Sequence, residues 1–191
     1  MKMIVFLLGG PGAGKSTQAD LLAKHPKIAC VGAGDCLRAE MNRAGSEHAT
    51  YIKDCIANGI IVDGMITSTL LHNFCTASNK EVIVIDGFPR SVNNYECFLK
   101  VFGETPHVML ALNCSEETLK DRIHQRILSK STRIDDNEET LIKRMAIYNS
   151  ETQEIYKTFD QKGLRISVET TNDIDETHQR ILSKLAPYLT A

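Results

Sequence analysis

Gly9–Thr17 reads GGPGAGKST and meets the spacing G-x-x-x-x-G-K-[ST] through Gly9, Gly14, Lys15 and Ser16. Such a stretch suits phosphate. Its glycines let backbone N–H groups curl inward around oxygens, and the helix that follows adds the positive end of its dipole. Gly10, Pro11, Gly12, Ala13, Gly14, Lys15, Ser16 and Thr17 are therefore expected to hold nucleotide phosphates. Lys15 would neutralise the β and γ oxygens, and the Ser16 hydroxyl would be offered to Mg²⁺. A glycine-rich turn without a ligand is the alternative, but the position directly between an apolar strand and an amphipathic helix weighs against it. The motif says nothing about what receives the phosphate.

A second cluster follows another strand. In VIDGFPRSVNNY (Val84–Tyr95) a carboxylate, Asp86, and an arginine, Arg90, precede two adjacent amides, Asn93 and Asn94. GAGDCLRAE adds Asp35 and Arg38, and DRIHQR adds Arg122 and Arg126, whose spacing puts them on one helix face. STRIDDNEETLIKR adds Arg133, Asp135, Asp136 and Arg144. Any one such pair is ordinarily a solvated ion pair of small energetic weight. As a set they make a second anion site.

These residues need elements to hold them in place. Short apolar runs at Met3–Leu8, Ile28–Val31, Val82–Ile85, Val108–Leu112 and Leu164–Val168 predict strands. Between them helical patterns cover Ser16–Lys24, Gly34–Arg43, Glu47–Asn58, Met65–Ala77, Val92–Phe102, Ser115–Ile127, Asn137–Gln161 and Asp173–Leu185. Strands that are apolar throughout and alternate with helices imply an α/β fold, a five-stranded parallel sheet covered on both faces. The stretch Gly34–Thr76 breaks the rhythm as a helical excursion, and polar Leu128–Asp136 reads as a short flap. Both leave from the carboxyl edge of the sheet, where ligands of open α/β sheets bind.

The 191 residues suit one domain, and 42% hydrophobic with 24% charged residues is an ordinary globular composition. A net charge of −2 gives no reason to expect nucleic acid or an anionic membrane as partner. MIVFLL is too short to span a bilayer, and GGPGAGKS follows it in place of a signal cleavage site. The six cysteines are scattered without a C-x-x-C pair and the six histidines without ligand spacing. Reduced thiols and a cytoplasmic location are expected, with neither a disulfide frame nor a metal cage of side chains alone.

In order and spacing, GGPGAGKSTQ, GDCLR, DGFPR, DRIHQR and the flap arginines resemble the adenylate kinase and UMP/CMP kinase family from Met3 to about Leu185. The resemblance implies a three-layer P-loop fold with a helical monophosphate-binding subdomain at 34–62 and a short lid at 127–136. It also implies ATP and Mg²⁺ as co-substrate and cofactor, nucleotides as the binding partners, and a monomer. By the same resemblance Lys15 follows the transferred group, while Arg38 and Arg90 hold the acceptor monophosphate. Arg126, Arg133 and Arg144 close on donor and acceptor phosphates, and Arg122 stacks over the ATP adenine. Asp86 holds Mg²⁺ through water, Asp35, Asp135 and Asp136 orient arginines, and Ala33, Gly34, Val62, Gly87, Phe88 and Asn94 complete the acceptor pocket. An acceptor that is already an oxyanion needs no general base, so positioning and electrostatics suffice.

The chain departs from the family in several places. Ser16 stands where glycine is usual, the lid stretch RILSKSTR lacks glycine, Cys36 replaces leucine or methionine, and VDGM (Val62–Met65) replaces Val-Pro-x-Glu. Three features side with UMP/CMP kinases: Ala33 in place of threonine, Asn94 in place of glutamine, and MITSTLL at Met65–Leu71. An amide that flips can face uracil or cytosine, which suits UMP and CMP, with AMP as the alternative acceptor. A catalytically weak nucleotide sensor is a further alternative, and the presence of Lys15, Arg90 and Arg144 argues against it.

Overall fold

Alternation along the central strands decides the layering. The computed structural model describes residues 2–128 and 137–189. In β1 (Met3–Gly9), Ile4, Phe6 and Leu8 join one buried cluster while Val5 and Leu7 join another. β3 (Val82–Asp86) and β4 (Val108–Asn113) divide their side chains in the same way. Residues that alternate between two cores need cover on both faces. β2 (Ile28–Gly32) and β5 (Arg165–Glu169) flank them, and every pairing is parallel in the order β2-β3-β1-β4-β5.

One face is covered by α4 (Gly64–Ala77), α5 (Val92–Phe102) and α8 (Gln153–Gln161), through Leu71, Phe98 and Phe159. The other is covered by α1 (Lys15–Leu22), α6 (Glu116–Leu128) and α9 (Ile174–Leu189), through Leu22, Leu119, Ile181 and Leu185. Phe6 lies at the middle of the first core, its ring 4.9 Å from Phe98, 5.9 Å from Phe159 and 6.0 Å from Phe88. Phe88 belongs to the DGFPR turn, so the core itself anchors that turn.

The excursion predicted after β2 is α2 (Ala33–Asn42) and α3 (Ala49–Asn58), leading into α4. It has a small core of its own, built on Leu37, Ile52, Cys55, Ile56 and Val62. The VDGM departure has a local explanation. Asp63 caps α4 by accepting from the N–H groups of Met65 (2.8 Å) and Ile66 (3.2 Å). Gly64 lets α4 approach α5, since a Cβ there would come within 2.8 Å of Cys97 Sγ.

One predicted element is corrected. Asn137–Gln161 reads as a single helix, but the backbone forms α7 (Glu138–Ile147), a π turn at Tyr148–Thr152, and then α8. Local periodicity continues across the turn, and its two end residues, Tyr148 and Thr152, make the long-range contacts described below. α6 also continues to Leu128, two residues into the range expected for the lid, and residues 129–136 lie outside the described residues.

Ser68 on α4 is fully buried, and its hydroxyl has no hydrogen-bond partner among the described residues. Removing an unpaired buried hydroxyl from a helix interior is favourable, so Ser68→Ala should stabilise the fold by about 1 kcal/mol. A thermal melt would show this as a rise of about 2–4 °C. A fall in melting temperature would mean that the hydroxyl is paired.

Candidate functional site

Two adjacent strand ends build the site. In the sheet register Asp86, the last residue of β3, sits opposite Leu7 of β1 on one side and Gly32 of β2 on the other. The phosphate loop leaves β1 beside it. Gly14, at the helix entry, takes a φ of +87°, and α1 begins without a side-chain cap or an acidic residue in its first turn. Its leading N–H groups are therefore suited to an anion. Lys15 Nζ folds back to donate to the carbonyls of Gly9 (2.8 Å) and Gly10 (3.0 Å). The Ser16 hydroxyl donates to Asp86 Oδ2 at 3.1 Å, joining the two strand ends.

Asp86 is buried, and its Oδ1 has no hydrogen-bond partner among the described residues. Burial pushes its carboxyl above the usual carboxylate range. Lys15, the Ser16 hydroxyl and Arg90 draw it back only in part, and the charge of Asp35 pushes it further up. A buried carboxylate with one oxygen unused fits a hydrated cation, and Ser16 lies beside it.

Arg90 is held at three points. Its Nε donates to Gly87 O at 3.1 Å, its N–H donates to Asn94 Oδ1 at 3.3 Å, and its carbonyl accepts from Thr152 Oγ1 at 3.2 Å. Burial works against its charge, Asp86 supports it and Arg38 opposes it. A guanidinium remains protonated throughout, so two positive groups are kept close together and ready for an anion. Arg38 pairs with Asp35 one helical turn earlier and lies against Gly34, where a Cβ would sit 3.2 Å from both terminal nitrogens.

Lys15, Arg38, Arg90 and Arg144 line one cleft together with the carboxylates Asp35 and Asp86. Ala33, Gly34, Val62 and Gly87 lie in its wall, as does Asn94. Phe88 borders it too, but the ring is buried in the core and acts as the anchor of the turn. Across the phosphate loop a second cleft opens, faced by Ala13, Gly14, Lys15, Ser16, Thr17 and Arg122. Pro11 borders the first cleft and Gly12 both, while Gly10 packs beneath Leu119, whose Cδ1 would lie 2.6 Å from an added Cβ. The side chain of Arg126, together with Arg133, Asp135 and Asp136, lies outside the described residues.

Asn94 requires a correction. The sequence allows an amide that flips between two bases, yet Asn94 is only 3% exposed and its Oδ1 accepts from the Arg90 N–H. Flipping would set NH₂ against that N–H, so the amide is oriented with Nδ2 as the group left for the cleft. Cys36 takes an apolar place beside the site. It packs half-buried against the core, and burial together with Asp35 pushes its thiol up, away from thiolate reactivity.

Sequence reasoning missed the residues that complete both clefts. Arg122 Nη2 donates to Thr171 O at 2.8 Å and reaches Asn172 Oδ1 at 3.3 Å, which fixes the loop after β5 as a wall of the second cleft. Gln18 holds the same loop by donating to Ile174 O at 3.0 Å. The position of this loop at the carboxyl edge of β5 was the available signal. Tyr148 and Thr152, in the wall of the first cleft, had none.

A parallel sheet that ends in a phosphate loop, with cations gathered at the neighbouring strand end, defines the class of P-loop phosphotransferases. Within that class the adenylate kinase family model matches residues 7–164, and the chain belongs to that family. It is 36% identical to the uridylate kinase of Schizosaccharomyces pombe (strain 972 / ATCC 24843), over 99% of this chain and 100% of that protein. It is 35% identical to the UMP-CMP kinase of Lentinula edodes, over 97% of this chain and 86% of the relative. The UMP-CMP kinase 3 of Oryza sativa subsp. japonica is 34% identical, over 97% and 86% respectively.

Proposed function

We propose that the protein transfers the γ-phosphoryl group of ATP to UMP or CMP, reversibly, giving ADP and UDP or CDP. The observation that carries this reading is the convergence of Lys15, Arg38, Arg90 and Arg144 on one cleft beside the phosphate loop. MgATP and a nucleoside monophosphate together bring about four negative charges, which that set is suited to balance. The naming of the relatives as UMP-CMP and uridylate kinases supports the pyrimidine acceptor.

In this reading the phosphate loop Gly10–Thr17 and the second cleft, with Arg122 and Arg126, take ATP. The first cleft takes the monophosphate, held by Arg38 and Arg90 and walled by Ala33, Gly34, Val62, Gly87 and Phe88, with residues 34–62 as its subdomain. Asn94 Nδ2 donates to uracil O4 or cytosine N3, both acceptors. Arg133 and Arg144, oriented by Asp135 and Asp136 in a lid at 127–136, span the two phosphates. Asp35 orients Arg38, with which it pairs. Asp86, through water, and Ser16 would hold Mg²⁺, which would offset the negative charge of the phosphates. The residues themselves align donor and acceptor, exclude water and stabilise the charge in flight; the acceptor oxyanion gives up no proton.

No helix among the described residues is long and apolar enough to cross a membrane. We take the protein to act as a cytoplasmic monomer on small-molecule nucleotides, as its separated free thiols suit a reducing compartment.

Purified protein with MgATP and separate UMP, CMP, dCMP, AMP or GMP tests the acceptor, with ADP formation as the readout. UMP and CMP are expected to exceed AMP by at least about tenfold in kcat/KM, since a buried site rejects a mismatched hydrogen-bonding edge at least that strongly. AMP preference would overturn the base pocket and keep the phosphate sites; no acceptor-dependent ADP would point to a sensor.

A further inference from the structure

Several helical hydroxyls in this protein bond back to the carbonyl four residues earlier, among them Thr67, Thr76, Ser150 and Thr158. Thr152 differs. Its buried hydroxyl crosses 62 residues of sequence to donate to Arg90 O at 3.2 Å. It does so from the π turn, where the helix departs from α geometry. Such turns are concentrated at functional sites because the wider loop re-aims side chains. At the other end of the same turn Tyr148 lies against the phosphate loop, its Cε1 3.3 Å from where a Cβ of Gly10 would be. One short turn therefore touches both strand ends.

We infer that Thr152 is a positioning residue for Arg90 and, through it, for Asn94. The Arg90 carbonyl is held by Thr152, its N–H by Asn94 Oδ1 and its Nε by Gly87 O. The side chain that meets the acceptor phosphate and the amide that meets the base thus share one main-chain anchor. The base of the anchor is rigid, because α8 is pinned in the core through Ile155 and Phe159, both fully buried. Without the hydroxyl the Arg90 carbonyl loses that partner, and the guanidinium and the amide lose their common reference. This inference rests on the reading of Arg90 as an acceptor-phosphate arginine.

Thr152→Val keeps the shape and removes the hydroxyl, and Thr152→Ser keeps the hydroxyl. Kinetics with UMP and MgATP should show the valine variant with kcat/KM for UMP down about tenfold, the loss expected for one hydrogen bond at a site sensitive to orientation. Its KM for ATP should stay close to wild type, its melting temperature should fall by only about 2–4 °C, the cost of one lost hydrogen bond, and serine should restore the UMP value. If the valine protein does not fold, Thr152→Ala serves in its place. The inference is overturned by a hydroxyl-less variant with wild-type UMP kinetics, by equal losses for ATP and UMP, or by a serine variant that fails to rescue. Wild-type protein that phosphorylates no nucleoside monophosphate would instead overturn the functional reading beneath it.

Discussion

Lys15→Met should lower phosphoryl transfer by about 10³-fold or more while leaving the fold in place. The lysine stands at the point where the two clefts meet, the one cation shared by both walls among the described residues. Its Nζ now rests on the carbonyls of Gly9 and Gly10, so it is already directed along the inside of the loop. In transfer, charge spreads over the moving phosphoryl oxygens, and a preorganised donor at that position acts mainly on the transition state. Methionine has similar length and no charge, so kcat should fall far more than ATP affinity. Stability should change little, because α1 is held by Ala19 and Leu22 in the core and not by the lysine. Single-turnover kinetics and a thermal melt test both parts. Near-normal turnover would refute the assignment of the donor loop.

Asp86→Asn should separate stability from activity. Burial raises the Asp86 pKa above its unfolded value, and the nearby cations do not bring it back. A carboxyl raised in this way stabilises the fold below the unfolded pKa, and that contribution is lost as pH rises through the folded one. At neutral pH in chelating buffer the charged carboxylate is therefore a net cost, and asparagine removes it while still accepting from Ser16. The variant should melt above wild type near pH 7 in EDTA, with the difference shrinking toward pH 4. Each kcal/mol gained would appear as about 2–4 °C. Transfer in the presence of Mg²⁺ should fall by about 10³-fold, the several kcal/mol that a correctly held metal contributes. Wild-type turnover in this variant would remove Asp86 from the metal site, and a lower melting temperature in EDTA would show that the carboxylate is satisfied without a cation.

What was legible in the sequence is what neighbours in the chain encode. GGPGAGKST carries its own geometry, since glycine torsions and a helix start need no distant partner. Runs such as Val82–Ile85 declare buried strands because a parallel strand covered on both faces must be apolar at every position. Charge type was legible as well: arginines without a plausible base or nucleophile beside them suit an acceptor that is already an anion.

Tertiary structure decided what these pieces do together. The hydrogen bond from Ser16 to Asp86 spans 70 residues and exists because β3 is inserted beside β1 in the strand order β2-β3-β1-β4-β5. The orientation of Asn94 depends on the N–H of Arg90 in the preceding turn, and the break in Asn137–Gln161 falls where Tyr148 and Thr152 meet Gly10 and Arg90, far away in sequence. The wall after β5 is set by Arg122 and Gln18, which approach it from different helices. Periodicity and motif spacing describe forces that act within a few residues. Contacts made across the sheet follow from which strands lie side by side, and only the packed fold sets that.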